Sequence, residues 1–229
     1  MTEIHILYDD GPCLVVCKPP GLPTQAPPGI DSLEVRVKAF LAGRAERPGH
    51  VYLGVPHRLD RPASGAIVFA TRRRAAHKLA RQFELRTVKK LYWACVEGHP
   101  DPPAGTWRDY LRKVYGRPQA EVVPAEHPEG RPAVLHYRTL ASANWGCRLE
   151  INLETGRTHQ VRIQAASRDY PVLGDFQYGA KTPFGPQHAD ERLRAIALHA
   201  RILEFEHPTT KERISVTAPT PEFWPGIGE

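Results

Sequence analysis

Two apolar runs open the chain. Ile4-His5-Ile6-Leu7-Tyr8 and Cys13-Leu14-Val15-Val16-Cys17-Lys18 flank Asp9-Asp10-Gly11-Pro12, a pattern that predicts a β-hairpin closed by a Gly-Pro turn. From Leu33 to Leu41 the apolar residues return at helical spacing, behind Asp31-Ser32 as an N-cap. A Gly/Arg/Pro-rich link from Gly43 to Gly49 follows, and Gly65 to Ala70 is a short apolar strand. Thr71 to Arg86 predicts a helix capped by Thr71. Ala75, Leu79 and Phe83 form its apolar stripe, and Arg72, Arg73, Arg74, Lys78, Arg81 and Arg86 its other face. That basic face is either a solvated surface or a phosphate-contacting one. Lys89 to Gly98 is rich in β-formers, and alternation sets Lys90, Tyr92 and Ala94 on one face against Leu91, Trp93 and Cys95 on the other.

The stretch from His99 to Gly130 is proline-rich and predicts irregular structure, with Arg108, Arg112, Lys113 and Arg117 interleaved with Trp107, Tyr110 and Tyr115. Aromatic rings among arginines suit RNA, whose bases stack while its phosphates pair; an exposed variable loop gives the same pattern. Ala133 to Leu140 and Gly146 to Leu153 predict neighbouring strands. Gly156 permits a tight turn, and Thr158 caps a helix starting at His159, which leaves Arg157 at the junction. Ile202 to Phe205, a Pro208-Thr209-Thr210-Lys211 turn and Ile214 to Val216 predict a final hairpin. The elements amount to an α+β fold, with 1–229 expected as a single domain and no separate N-terminal RNA-binding module.

Composition narrows the class. At 229 residues, 41% hydrophobic and 24% charged, the chain has the profile of a soluble globular protein that can bury a sizeable core. No apolar run approaches the roughly 18 residues that span a membrane. Met1-Thr2-Glu3-Ile4-His5 lacks the basic start and apolar stretch of a secretory signal, so a cytoplasmic monomer is expected. Cys13, Cys17, Cys95 and Cys147 do not form two closely spaced pairs, which argues for reduced structural thiols and no metal. The formal charge of +6 is compatible with a polyanionic partner without requiring one.

The candidate chemistry lies in Val55-Pro56-His57-Arg58-Leu59-Asp60-Arg61-Pro62-Ala63-Ser64-Gly65. Asp60 sits between two arginines, whose charges favour its ionised form. Pro62, Ser64 and Gly65 place it on a loop just ahead of an apolar strand. Taken alone, the cluster is equally a surface ion-pair network.

His57-Arg58-Leu59-Asp60, followed after two residues by Ala63-Ser64-Gly65, resembles the signature of the RluA-type pseudouridine synthases, in which threonine is usual where Ala63 stands. Lys18-Pro19-Pro20-Gly21 is similar to that family's first block, with Cys17 where asparagine is usual. Lys90, Tyr92, Ala94, Val96 and Gly98 match a second block, and Gly156-Arg157-Thr158-His159-Gln160-Val161-Arg162 a third. Pro171 to Asp175 with Tyr178-Gly179 extends the match to nearly the whole chain, apart from about 99–130.

The resemblance implies a mixed, mainly antiparallel sheet with flanking helices, acting on ribosomal or transfer RNA without metal, redox or nucleotide cofactor. It implies Asp60 as nucleophile or proton-abstracting base, with Arg157 as its guanidinium partner. Tyr92 would stack on the uracil and serve in proton transfer. Arg58 would fill the space left by a flipped nucleotide or hold its phosphate, and Val161 would wall the base. Lys18, His57, His159 and Gln160 complete the expected substrate-contacting set. Two rivals are a catalytically silent RNA-binding or ribosome-assembly protein of this fold, and a glycosidase using Asp60 and Asp175. A zinc deaminase would need His-x-Glu and Cys-x-x-Cys, and neither is present.

Overall fold

A computed structural model describes residues 4–44 and 51–225. In chain order the elements are β1 (Ile6–Asp10), β2 (Cys13–Lys18), α1 (Leu33–Arg44), β3 (Ser64–Ala70), α2 (Arg73–Glu84), β4 (Lys89–Glu97), β5 (Ala104–Lys113), β6 (Ala120–Val123), β7 (Arg131–Ala143), β8 (Gly146–Leu153), α3 (Gln160–Ala166), β9 (Leu198–Glu206) and β10 (Arg213–Thr217). The chain divides into two compact units, Met1–Lys90 with Ala200–Pro221, and Leu91–His199 with Glu222–Glu229.

In the first unit the predicted hairpin forms, with β1 antiparallel to β2 and β2 antiparallel to β3. β9 follows β3 in the sheet, and β10 pairs with β9. Every residue of β3 is buried, as its unbroken apolar run requires. One face of this sheet, including Val15, Val68 and Phe205, packs with Ala75 and Leu79 of α2. A fully buried Leu or Phe contributes about 2 kcal/mol. Ser32 caps α1 as expected, its Oγ accepting the Val35 N–H at 3.3 Å. That helix runs on through Gly43 and Arg44, so the predicted link begins inside it, and residues 45–50 lie outside those described.

Thr71 does not cap α2. The N-cap is Arg72, without a side-chain cap bond. The Thr71 hydroxyl donates instead to the Gly11 carbonyl at 3.4 Å, and its N–H to Pro12 at 2.9 Å, so Thr71 ends β3 against the hairpin turn.

The second unit is an antiparallel sheet in the order β4-β8-β7-β5-β6. The segment predicted as irregular supplies β5 and β6. Its prolines misled because they cluster outside the strands, while Trp107 and Leu111 alternate inward along β5. Trp107 is a core residue whose ring lies tilted against Tyr137 with centroids 4.5 Å apart, which removes it from the expected basic–aromatic surface. Helix α3 begins one residue later than expected, and Thr158 is not its cap. The N-cap is His159, in the left-handed region at φ 53°.

Cys13, Cys95 and Cys147 are buried free thiols, and burial pushes Cys13 up to about 12 and Cys95 up to about 11. Among the described residues no helix is long and apolar enough to cross a membrane.

At Gly65 the backbone of β3 comes directly against that of β9. The Gly65 φ is 116°, and a Cβ there would lie 2.4 Å from the Ala200 carbonyl oxygen. Gly65→Ala is expected to lower stability by about 3 kcal/mol or more, read from the urea midpoint. A loss below about 1 kcal/mol would show that β3 and β9 are not held this tightly.

Candidate active site

The first unit carries Lys18, His57, Arg58 and Asp60. The Asp60 carbonyl accepts the Ala63 N–H at 3.2 Å, so Asp60 is the first residue of a turn, a position that aspartate favours. The residues on either side of it are tied down. The buried Thr24 hydroxyl donates to the Leu59 carbonyl at 3.0 Å and accepts the Leu59 N–H at 3.2 Å. Lys18 Nζ donates to the Arg61 carbonyl at 3.0 Å.

Lys18 is fully buried at the end of β2. It also donates to the carbonyls of Pro19 at 2.8 Å and Leu22 at 2.7 Å. Burial pulls its pKa down to about 7, while the nearby Asp60 carboxylate acts to raise it and Arg61 to lower it. Three acceptors match the three N–H bonds of an ammonium and exceed the two of an amine, so the cage selects the charged form.

His57 is enclosed on two sides. Its Nε2 accepts the Val68 N–H at 3.0 Å, and its ring stacks on Phe83 at 4.3 Å. Accepting at Nε2 requires the neutral ring with its proton on Nδ1. Burial, with a smaller push from Lys90, lowers its pKa to about 3. The imidazole therefore completes a strand edge, a structural task beyond the substrate contact expected of it. Arg58 is exposed.

The second unit carries Tyr92, Arg157, His159, Gln160 and Val161. Tyr92 lies on β4 opposite Ile151 and is half-buried. The turn before α3 is knotted to β7. Thr155 Oγ1 accepts the Val134 N–H at 2.8 Å and donates to Gln160 Oε1 at 2.7 Å, while Gln160 Nε2 donates to the Val134 carbonyl at 3.1 Å. Gln160 Oε1 also accepts the Arg157 N–H at 3.0 Å. Gln160 is 3% exposed, so its amide positions the Arg157 backbone instead of meeting substrate. The Arg157 side chain donates from Nε to Pro132 at 3.0 Å and borders a cleft of about 300 Å³ lined also by Arg112, Lys113, Arg131 and Thr158.

His159 Nδ1 lies 2.8 Å from the Tyr178 hydroxyl, which accepts the Ala120 N–H at 2.9 Å. Val161 is buried. Behind it Arg162 and Asp175 form a buried bidentate pair at 2.6 and 2.8 Å, which commits Asp175 to structure and weakens the glycosidase reading. The clamps made by Thr24 and Thr155 have no signal in the sequence, because each bonds a backbone far along the chain.

The sequence profile of the RNA pseudouridylate synthase family matches residues 12–167. An uncharacterized RNA pseudouridine synthase of Mycobacterium bovis is 37% identical over 218 residues, covering 94% of this chain and 69% of the relative. The ribosomal large subunit pseudouridine synthase D of Pseudomonas aeruginosa is 34% identical over 232 residues, covering 96% and 69%. The chain thus spans about two thirds of the length of these relatives. Human RNA pseudouridylate synthase domain containing 4 shares the fold, with a TM-score of 0.78 at 24% identity over 96% of this chain and 90% of that one.

Lys18→Met is expected to strand three carbonyls and to lower stability by about 3 kcal/mol; an unchanged denaturation midpoint would show the cage to be dispensable. For His57, an unfolded ring takes a proton below about pH 6.5 while the folded one stays neutral down to about 3. Stability is then complete above that range and falls as pH drops through it, by at most about 2 kcal/mol at about pH 5. His57→Gln keeps an acceptor for Val68 and should flatten this part of the pH dependence in denaturant titrations. An unaltered slope would assign the loss to other groups.

Proposed function

The chain belongs to the RNA pseudouridylate synthase family, and on that premise we propose that it isomerises uridine to pseudouridine in large-subunit ribosomal RNA, with Asp60 as the reacting carboxylate. The observation that carries this reading is the turn that presents Asp60, fixed at Leu59 by Thr24 and at Arg61 by Lys18. A carboxylate carried on a backbone fixed on both sides avoids part of the orientational cost of reaching a reactive geometry. The choice of ribosomal RNA is supported by the names of the Pseudomonas aeruginosa and Haemophilus influenzae relatives, both ribosomal large subunit pseudouridine synthase D.

The isomerisation breaks the N1–C1′ bond of uridine, turns the uracil and forms a C5–C1′ bond. The C5 proton leaves to solvent and N1 gains one, so no electrons are exchanged with an outside partner. Asp60 either adds to the nucleoside as a nucleophile or removes a proton as a base. The target must first leave its stack, at a cost of a few kcal/mol. The remaining roles follow from the family's blocks in this sequence. Tyr92 stacks on uracil and moves the late proton, Arg157 steadies the anionic reactant, and Arg58 takes the vacated space or a phosphate. Gln160 and Lys18 act as positioning residues, through Arg157 and the Asp60 turn respectively.

A large-subunit ribosomal RNA transcript tritiated at uracil C5 tests the reading. The wild type should release label to water and keep the base attached. Asp60→Asn should lower release at least about 1000-fold with RNA affinity held within a few-fold. Tyr92→Phe should slow it about 100-fold or more, as expected for loss of a proton-transfer group. Free uracil in the products would instead indicate a glycosidase. Pseudouridine mapping with and without the gene should show the lost site in large-subunit ribosomal RNA, and a loss confined to transfer RNA would overturn that substrate.

A further inference from the structure

The chain's excess of positive charge is concentrated in one place. Residues 72–89 hold seven lysines and arginines and one carboxylate, which accounts for the entire formal +6. Outside that stretch there are 24 cations (31 less seven) and 24 carboxylates (25 less one). All seven cations, Arg72, Arg73, Arg74, Lys78, Arg81, Arg86 and Lys89, are exposed.

Five of them flank or lie on α2. Arg74, Lys78 and Arg81 fall at i, i+4 and i+7, away from the buried Ala75 and Leu79, so they form one outward stripe about 10 Å long. This charge does not serve the helix. Arginines crowd its first turn, where the helix dipole favours carboxylates, and no acidic residue is present there. Among the described residues Arg72, Arg74 and Arg86 have no acidic partner. Arg81 with Glu84 and Lys89 with Glu204 are exposed pairs of the kind that water and salt readily replace.

A run of cations at one-turn intervals is complementary to a polyanion of regular spacing. The surface is a poor match for a protein or a lipid bilayer. Leu85 is the only large apolar side chain exposed along it, whereas interfaces are anchored by apolar or aromatic groups and membrane-lying helices by an apolar face. The apolar face of α2 is already occupied. Phe83 stacks on His57, and a Cβ on Gly54 would meet Ala76 at 2.5 Å, so the inner side of α2 supports the loop that leads to Asp60.

We infer that the outer face of α2 and the turn after it dock the phosphate backbone of a structured RNA, adding affinity without reading sequence. The inference rests on the RNA-modifying reading above and adds a surface outside the residues assigned to the reaction.

The test compares the full chain with the triple variant Arg74→Gln, Arg81→Gln, Arg86→Gln. Its probe is a large-subunit ribosomal RNA transcript, with filter binding over a series of salt concentrations and C5-tritium release under single turnover. The triple variant should lower the slope of log affinity against log salt by about 2, since each phosphate contact contributes about 0.7 to 0.9. Its KM should rise about tenfold while the rate at saturating RNA stays within about two-fold. The triple lysine variant should restore both. If affinity and salt slope are unchanged while wild-type turnover is present, the docking surface is wrong and the activity stands. If the wild type makes no pseudouridine, the activity reading fails, and a reduced salt slope still supports the docking surface. If the triple variant loses binding to phosphatidylserine vesicles but keeps its RNA slope, the surface belongs to a membrane and the inference is overturned.

Discussion

A single ammonium group sets the geometry on which the candidate chemistry depends. Lys18 is completely enclosed, and a charge in that position persists only if its protons are all accepted. The acceptors come from the residue after β2, from the Pro-rich turn and from the Asp60 loop. Three backbone segments are thereby brought to one point, and Pro19 and Pro20, which follow Lys18 in sequence, bring no N–H of their own to satisfy. The nearby Asp60 carboxylate favours the charged form of the same ammonium through space, so the ion that holds this turn is itself supported by the turn's acidic residue. The arrangement makes order in the Asp60 loop a property of the interior and largely independent of the surface ion pairs that Arg58 and Arg61 could form.

The second unit reaches a similar rigidity with neutral groups. Thr155 and Gln160 exchange hydrogen bonds with each other and with both backbone groups of Val134, which fixes the Arg157 turn without any buried charge. One turn further along α3, Arg162 and Asp175 are both almost completely buried and share a fork of two short bonds. Such a pair adds little net stability relative to an apolar core, but losing one member would leave the other uncompensated. Its consequence is positional. Gln177 accepts from the same guanidinium, and Arg162 lies over the Tyr178 ring at 4.9 Å, which places the Tyr178 hydroxyl where it meets both His159 and β6.

Local patterning made much of this legible. Both hairpins, the Ser32 cap and the apolar stripe of α2 follow from residues near one another in sequence, and they formed as read. The misreadings arose where local signals lost to contacts from far along the chain. Thr71 and Thr158 look like helix caps, yet the hydroxyl of Thr71 is drawn to Gly11, and α3 starts behind a left-handed His159. The prolines around β5 suggested irregular structure because the pattern inward from Trp107 to Leu111 is only two residues strong. In the candidate site, the motif residues could be found by inspection, but the division of labour among them could not. That His57 and Gln160 spend their polar atoms on Val68 and Val134 depends on strands that no spacing rule connects to them.

Charge distribution adds a constraint that the net value conceals. A modest excess spread evenly would leave every surface near neutrality, whereas here residues 72–89, on one helix and its flanks, hold all of it and the rest is balanced. That helix is cationic outside, while His57 on its inner side can accept the Val68 N–H only as a neutral ring. Phe83 lies between these two requirements, with its ring against the imidazole and its backbone on the helix that bears the arginines. Burial, with a smaller contribution from Lys90 on β4, makes protonation of His57 harder, so the inner side of α2 stays uncharged beside its cationic outer face. A strongly basic surface and a loop that needs a neutral histidine are therefore compatible on one helix, because burial alone is enough to keep the imidazole uncharged.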